Sequence, residues 1–137
     1  VDFAVSEQLL GMVADLMKNV SGNVPTLMTV ADFNAEKKAK WNDEFKPKTK
    51  ESFQRFEKLL AGDAKDRFTA TGTVLGEFEL WFRMYTLING AFPSLLTDVP
   101  ALKAFYDRMS AEKGPKKFAA GESKFGPLVD YFVPVPE

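Results

Sequence analysis

The 137-residue sequence contains no cysteine and no histidine. Those two absences exclude more chemistry than any residue present defines. Within this chain there is no thiolate nucleophile, disulfide, Cys/His zinc cluster, histidine general base or histidine-ligated haem. Without cysteine, disulfide usage gives no reading of the redox compartment either. No apolar run approaches the ~18–20 residues of a membrane span, because charges interrupt every hydrophobic stretch, including the strongest one around Trp81. No N-terminal segment has the charged start, apolar middle and small-residue cleavage site of a signal peptide. Val1 is not an initiator methionine, so residues removed or left out ahead of it are expected. Internal repeats, low-complexity segments and convincing strand alternation are also missing.

What is present belongs to a folded domain. Apolar residues make up 45% and charged residues 27% of the chain, with a net charge of −1, a balance that separates it from disordered chains. The length suits one domain, large enough to bury roughly 68% of the surface that its unfolded form exposes. Charge is uneven: residues 1–33 carry −3, residues 34–67 carry +3 and residues 68–137 carry −1. The basic middle, with Lys46, Lys48 and Lys50, has neither the excess nor the reading motif of a nucleic-acid footprint, and reads as a solvated helix face. No nucleic-acid partner is expected.

Hydrophobic spacing predicts an all-α chain. Val5, Leu9, Met12 or Val13, Leu16 and Val20 recur at helical spacing, widened by Leu10 and Met17, which describes a deeply packed helix ending in Asn19-Val20-Ser21-Gly22-Asn23. Asn34 to Phe45 is rich in helix formers and Asn34 suits its cap. A break is expected at Lys46-Pro47, since proline disfavours a helical residue before it. Thr49 to Leu60 then repeats Phe53, Phe56, Leu59 and Leu60 among charges, an amphipathic helix ending at Gly62.

The segment Leu75–Asn89 is apolar nearly all round, through Phe78, Leu80, Trp81, Phe82, Met84, Tyr85, Leu87 and Ile88, and belongs in the middle of a core. Gly76 is its expected N-cap, with Leu75 and Leu80 as a hydrophobic staple and Glu79 where a capping-box acid sits. Glu79 and Arg83, four apart, are spaced to pair. Leu102, Phe105, Tyr106 and Met109 mark a further helix opening near Pro100 and stopped by Lys113-Gly114-Pro115. A short helix over Lys116–Ala120 follows, and from Gly121 an irregular tail anchored by Phe125, Tyr131 and Phe132. About five to seven helices around a buried central one are expected.

The order of these elements, with Phe56-Glu57-Lys58-Leu59-Leu60, then Phe68 through Gly72 to Leu75-Gly76-Glu77-Phe78-Glu79-Leu80-Trp81, resembles the C-terminal helical domain of cytosolic glutathione S-transferases. The likeness is nearest the sigma, alpha, mu and pi branch. The later stretch Leu95-Leu96-x-x-x-Pro100-x-Leu102, followed by Phe105, Arg108, Met109 and Pro115, is similar to the family's last full helices. In that family an aliphatic residue, a Ser/Thr N-cap and an Asp three places on open the central helix. Leu75, Gly76 and Glu79 stand at the corresponding positions, so the capping hydroxyl and the aspartate are both replaced.

The resemblance implies residues 1–120 as the helical domain and residues 121–137 as a tail packed on it. It implies that the thioredoxin-like half, which in the family binds glutathione and stabilises its thiolate, is absent from this chain. A thiol of ordinary pKa, about 8.5, is mostly protonated at neutral pH, so that donor supplies much of the catalysis. This half would then contribute an apolar wall for the electrophile, from Met12, Leu16, Leu27, Met28, Tyr131 and Phe132, and contacts of a two-fold dimer. Core packing is the competing use of each side chain. Asp15 corresponds to the acid that reaches the neighbouring subunit's glutathione; a one-turn shift of register puts Leu10 there instead.

No catalytic acid or base is assigned. Tyr85, Tyr106 and Tyr131 are the only phenols, the first two lie on helical stripes, and the paired acids Asp43-Glu44 and Glu77-x-Glu79 carry no pocket signature. No metal or resident cofactor is expected, and glutathione enters as co-substrate only with the thioredoxin-like half. Partners implied are a second copy or a larger, even membrane-bound, assembly. The compartment implied is cytoplasmic, or an organelle after N-terminal processing. The alternative to a transferase is a transferase-derived interaction subunit without catalysis.

Overall fold

The computed structural model describes residues 1–20, 34–62, 66–124 and 126–127. Among them the regular elements are all helical: α1 (Asp2–Val20), α2 (Ala35–Lys40), a π-helical turn (Trp41–Phe45), α3 (Lys46–Leu60), α4 (Leu75–Gly90), a 3₁₀ turn (Pro93–Leu96), α5 (Pro100–Ala111) and α6 (Lys113–Ala119). The all-α bundle agrees with the periodicity of the sequence. Among these residues no helix is long and apolar enough to cross a membrane.

The α1 stripe Leu9, Val13, Leu16 and Val20 is buried and packs along α4, which also meets α5 and the 3₁₀ turn. The two helices run close at Gly76, whose amide donates to Ser6 Oγ at 3.0 Å. A methyl group at Gly76 would lie 2.5 Å from the Ser6 carbonyl oxygen and 2.8 Å from Leu9 Cβ. Alanine is the better helix former by ~1 kcal/mol, yet here Gly76→Ala should destabilise the domain by about 1–3 kcal/mol, because α1 must move. Urea unfolding checks this; an unchanged or higher midpoint would mean that the crossing is loose.

Three local expectations are corrected. The helix does not break at Lys46-Pro47. Proline lacks an N–H and its ring crowds the carbonyl four residues back, and a wider turn precedes it: Lys46 N donates to Trp41 O, five residues back. A π turn absorbs this misfit without ending the helix. Thr49 Oγ1 donates to Phe45 O at 2.8 Å just beyond it. Second, Lys113-Gly114-Pro115 opens α6 and does not terminate α5; the chain turns at Glu112, whose ψ is 149°. Third, α4 is buried only along Gly76, Glu77, Leu80, Trp81, Met84, Leu87 and Gly90. Phe78, Phe82, Tyr85 and Ile88 remain half-buried, because that flank is shared with the short α6, where Phe118 meets Trp81, Phe82 and Tyr85 edge-on.

The Asn34 cap holds, and the α3 stripe holds except at Leu59. Asn34 caps α2, its Oδ1 accepting from Lys37 N at 3.0 Å. On α3, Phe53, Phe56 and Leu60 are buried, while Leu59 is exposed. The start of α5 has no side-chain cap of its own. Glu57 of α3 takes that role, accepting from Ala101 N at 3.0 Å and Leu102 N at 2.7 Å, a carboxylate placed against a helix N-terminus.

Candidate functional site

Along α1 the residues singled out from the sequence divide between two surfaces. Leu16 has no exposed surface and lies wholly in the core, so core packing is its use and it offers a ligand nothing. Met12 is half-buried and Asp15 exposed; three residues apart, they are neighbours on one flank of the helix. Leu10 is half-buried. Asp15 accepts from Lys18 Nζ at 2.6 Å, and that hydrogen bond, with the attraction of the ammonium, holds its carboxyl below the usual range. The flank therefore presents a polarizable thioether beside a carboxylate that is ionised at neutral pH. Leu27, Met28, Tyr131 and Phe132 lie outside the described residues.

On the central helix the cap lies in a different register from the one expected. The N-cap is Val74, in extended conformation, and not Gly76. Leu75 is 69% exposed, so it does not staple against Leu80, which is fully buried. Glu79 does not cap; it accepts from Arg83 Nε at 2.8 Å, the pair expected from their spacing. Trp81 is buried as expected, and its Nε1 donates to Ser110 Oγ at 2.9 Å.

The capping carboxylate is Glu77, two residues before the one expected. It is fully buried and accepts from Phe68 N at 2.8 Å, Thr69 Oγ1 at 2.9 Å and Val74 N at 3.2 Å. Arg108 Nη2, buried and without a hydrogen bond, lies 3.9 Å from Glu77 Oε1. The guanidinium is held by Nε donating to the Asp66 carbonyl at 2.8 Å and lies over the Phe105 ring. Gly72 makes this possible: its φ is +70°, and a side chain there would begin 3.1 Å from Arg108 Nη1. Arg67, donating to Asp66 Oδ1, holds that carboxyl below its ordinary range. The network ties the approach to α4 onto α5.

Sequence reasoning missed this hub because Val74 is an apolar N-cap and gives no hydroxyl signal. The retrievable trace was Glu77 three residues after an extended stretch. Tyr85 and Tyr106 are half-buried on helix faces, and burial pushes the Tyr106 phenol up, away from activation. Tyr131 lies outside the described residues.

The comparison with known families places this architecture. The family described as glutathione S-transferase, C-terminal domain, matches residues 23–122, and the chain belongs to that family. The matched stretch includes α2 to α6 and begins after α1. The comparisons with curated proteins and with solved structures found no match.

Proposed function

We propose that this chain forms the helical half of a glutathione-conjugating transferase. A thioredoxin-like half would hold and activate the glutathione thiol, and α1 would wall the apolar electrophile beside it. Membership of the transferase C-terminal family over residues 23–122 carries the reading. The α1 flank supports it: Met12 keeps exposed surface where Leu16 does not, and methionine adapts to electrophiles of different shape. Leu27, Met28, Tyr131 and Phe132 complete the wall in this reading. Asp15, one turn along, would exchange Lys18 for the glutathione ammonium of the second subunit in a two-fold dimer.

The test uses the protein isolated from its natural source, its intact mass and N-terminal sequence measured first. A thioredoxin-like domain ahead of Val1 and conjugation of glutathione to an aryl halide are expected. Saturating glutathione should then raise Tm, by ~2.7 kcal/mol of added stability at a hundredfold excess over Kd. Met12→Gln should raise KM for the aryl halide and leave KM for glutathione unchanged; Asp15→Asn should do the reverse.

A second reading, a non-catalytic interaction subunit docked on a larger assembly, is favoured by one observation. Leu75, Phe78, Phe82 and Phe118 line an open, largely apolar groove of about 300 Å³ between α4 and α6. A native protein without the thioredoxin-like domain, unmoved by glutathione and purifying with a protein partner, would replace the first reading by this one.

A further inference from the structure

A cleft of about 380 Å³ opens between the start of α3 and the segment that follows α4. Met12 and Asp15 are not among its lining residues, so it is separate from the α1 flank. Its volume lies in the range of small-molecule sites, which combine an apolar lining with a few convergent polar groups. Pro47, Phe92 and Leu95 supply the apolar lining, and Lys50 and Asp98 line it as an ion pair.

The cleft owes its wall to the π turn. Asn42 belongs to that turn and Lys50 to the helix after it, and both line the cleft. A regular helix sets residues eight apart ~80° out of line; the wider turn lessens that offset and brings the two along one side. The Lys46 ammonium is engaged over the Phe92 ring, 4.9 Å from its centroid, and serves as wall. That ring is anchored in turn by the buried Trp41, edge-on at 6.5 Å.

The ion pair gives the cleft a fixed dipole. Lys50 Nζ, on α3, donates to Asp98 Oδ2, just ahead of α5, at 2.6 Å, so the positive end stands on one wall and the negative end on the other. Among the described residues this is the only hydrogen bond that either side chain makes. An ammonium has three donors and a carboxylate about four acceptor sites, and both side chains are about half-exposed. Each end of the dipole therefore keeps hydrogen-bonding capacity beside the apolar lining.

We propose that this cleft binds a free α-amino acid with an apolar side chain. Its carboxylate meets Lys50, its ammonium meets Asp98, and its side chain lies on Pro47, Phe92 and Leu95. The two charged groups of an α-amino acid share one carbon and stand about one hydrogen-bond length apart, as the two of the protein pair do. The four groups thus close a ring of alternating charge, and the protein pair need not open. A lone acid or a lone amine is attracted by one end of the dipole and repelled by the other.

The test is a ¹⁵N–¹H correlation titration of the full chain with L-phenylalanine and three partial copies of it. 3-Phenylpropanoate lacks the ammonium, phenethylamine lacks the carboxylate and glycine lacks the side chain. Saturable shifts centred on the amides of Asn42, Lys50 and residues 94–98 are expected with phenylalanine, and each partial copy should bind at least about tenfold more weakly. Lys50→Met should lower phenylalanine to the affinity of phenethylamine or below, and Asp98→Asn to that of 3-phenylpropanoate or below. An exposed ion pair adds little to stability, so both variants should fold. Phenylalanine binding no tighter than a partial copy, binding unmoved by both substitutions, shifts centred elsewhere, or no shift up to the solubility limit would overturn the proposal. The first and the last require no variant. If the transferase reading fails, these shifts should remain.

Discussion

Replacing Glu77 by alanine should cost the domain about 3–5 kcal/mol, the range for removing one partner from a buried charged pair. The carboxylate has no exposed surface, and three donors converge on it: Phe68 N, Thr69 Oγ1 and Val74 N. Truncation strands Thr69 Oγ1 in a buried place and the Phe68 and Val74 amides in part-buried ones, and each unsatisfied buried group costs ~1–3 kcal/mol. It also takes the facing anion from Arg108, whose side chain is 15% exposed. Glu77→Gln should lose less, since one oxygen still accepts. Thr69→Val removes a single donor and should cost about 1 kcal/mol. Urea unfolding gives the stabilities, and hydrogen exchange at the Phe68 and Val74 amides shows whether the approach to α4 opens first. A loss below ~1 kcal/mol for Glu77→Ala would show that α1 packing alone positions α4.

The same residue marks where sequence reading stops. Periodicity located the main helices, since α1, α3, α4 and α5 each bury a stripe at 3.6-residue spacing. It also anticipated the Asn34 cap and the Glu79–Arg83 pair, which are local in sequence. The hub was hidden because its partners come from three places, Thr69, Glu77 and Arg108, and because Val74 caps with backbone alone. Glu57 capping α5 across more than forty residues was hidden for the same reason. Pro47 misled because its rule is a steric bias against a helical residue before proline, and Lys46 is helical all the same, at φ −62° and ψ −45°, where it closes the π turn. Of the candidate wall, spacing placed Met12 and Leu16 on one helix. The buried and half-buried sides of that helix separate only once α4 is packed against it.

Trp81→Ala should be the other severe substitution, at about 3–5 kcal/mol from the cavity left behind. Trp81 is 3% exposed and joins three helices. It sits on α4, its ring lies 5.3 Å from Tyr85 and 6.1 Å from Phe118 of α6, and its Nε1 bonds to Ser110 of α5. Ser110 Oγ passes the bond on to the Tyr106 carbonyl, so the loss of the indole leaves the hydroxyl as a donor with one partner fewer. Trp81→Phe separates the two contributions: it fills most of the volume, drops the hydrogen bond and should cost less than the alanine change. Ser110→Ala, which drops the bond alone, should cost about 1 kcal/mol. Chemical unfolding followed by circular dichroism, and not by fluorescence, keeps the signal comparable when a tryptophan is removed. Because α6 docks through the same aromatic cluster, α6 amides should lose exchange protection first in Trp81→Ala. An unfolding cost below ~1 kcal/mol would remove α4 from the centre of the fold. A full cost with α6 protection intact would leave α4 central and place the docking of α6 on Phe82 and Tyr85.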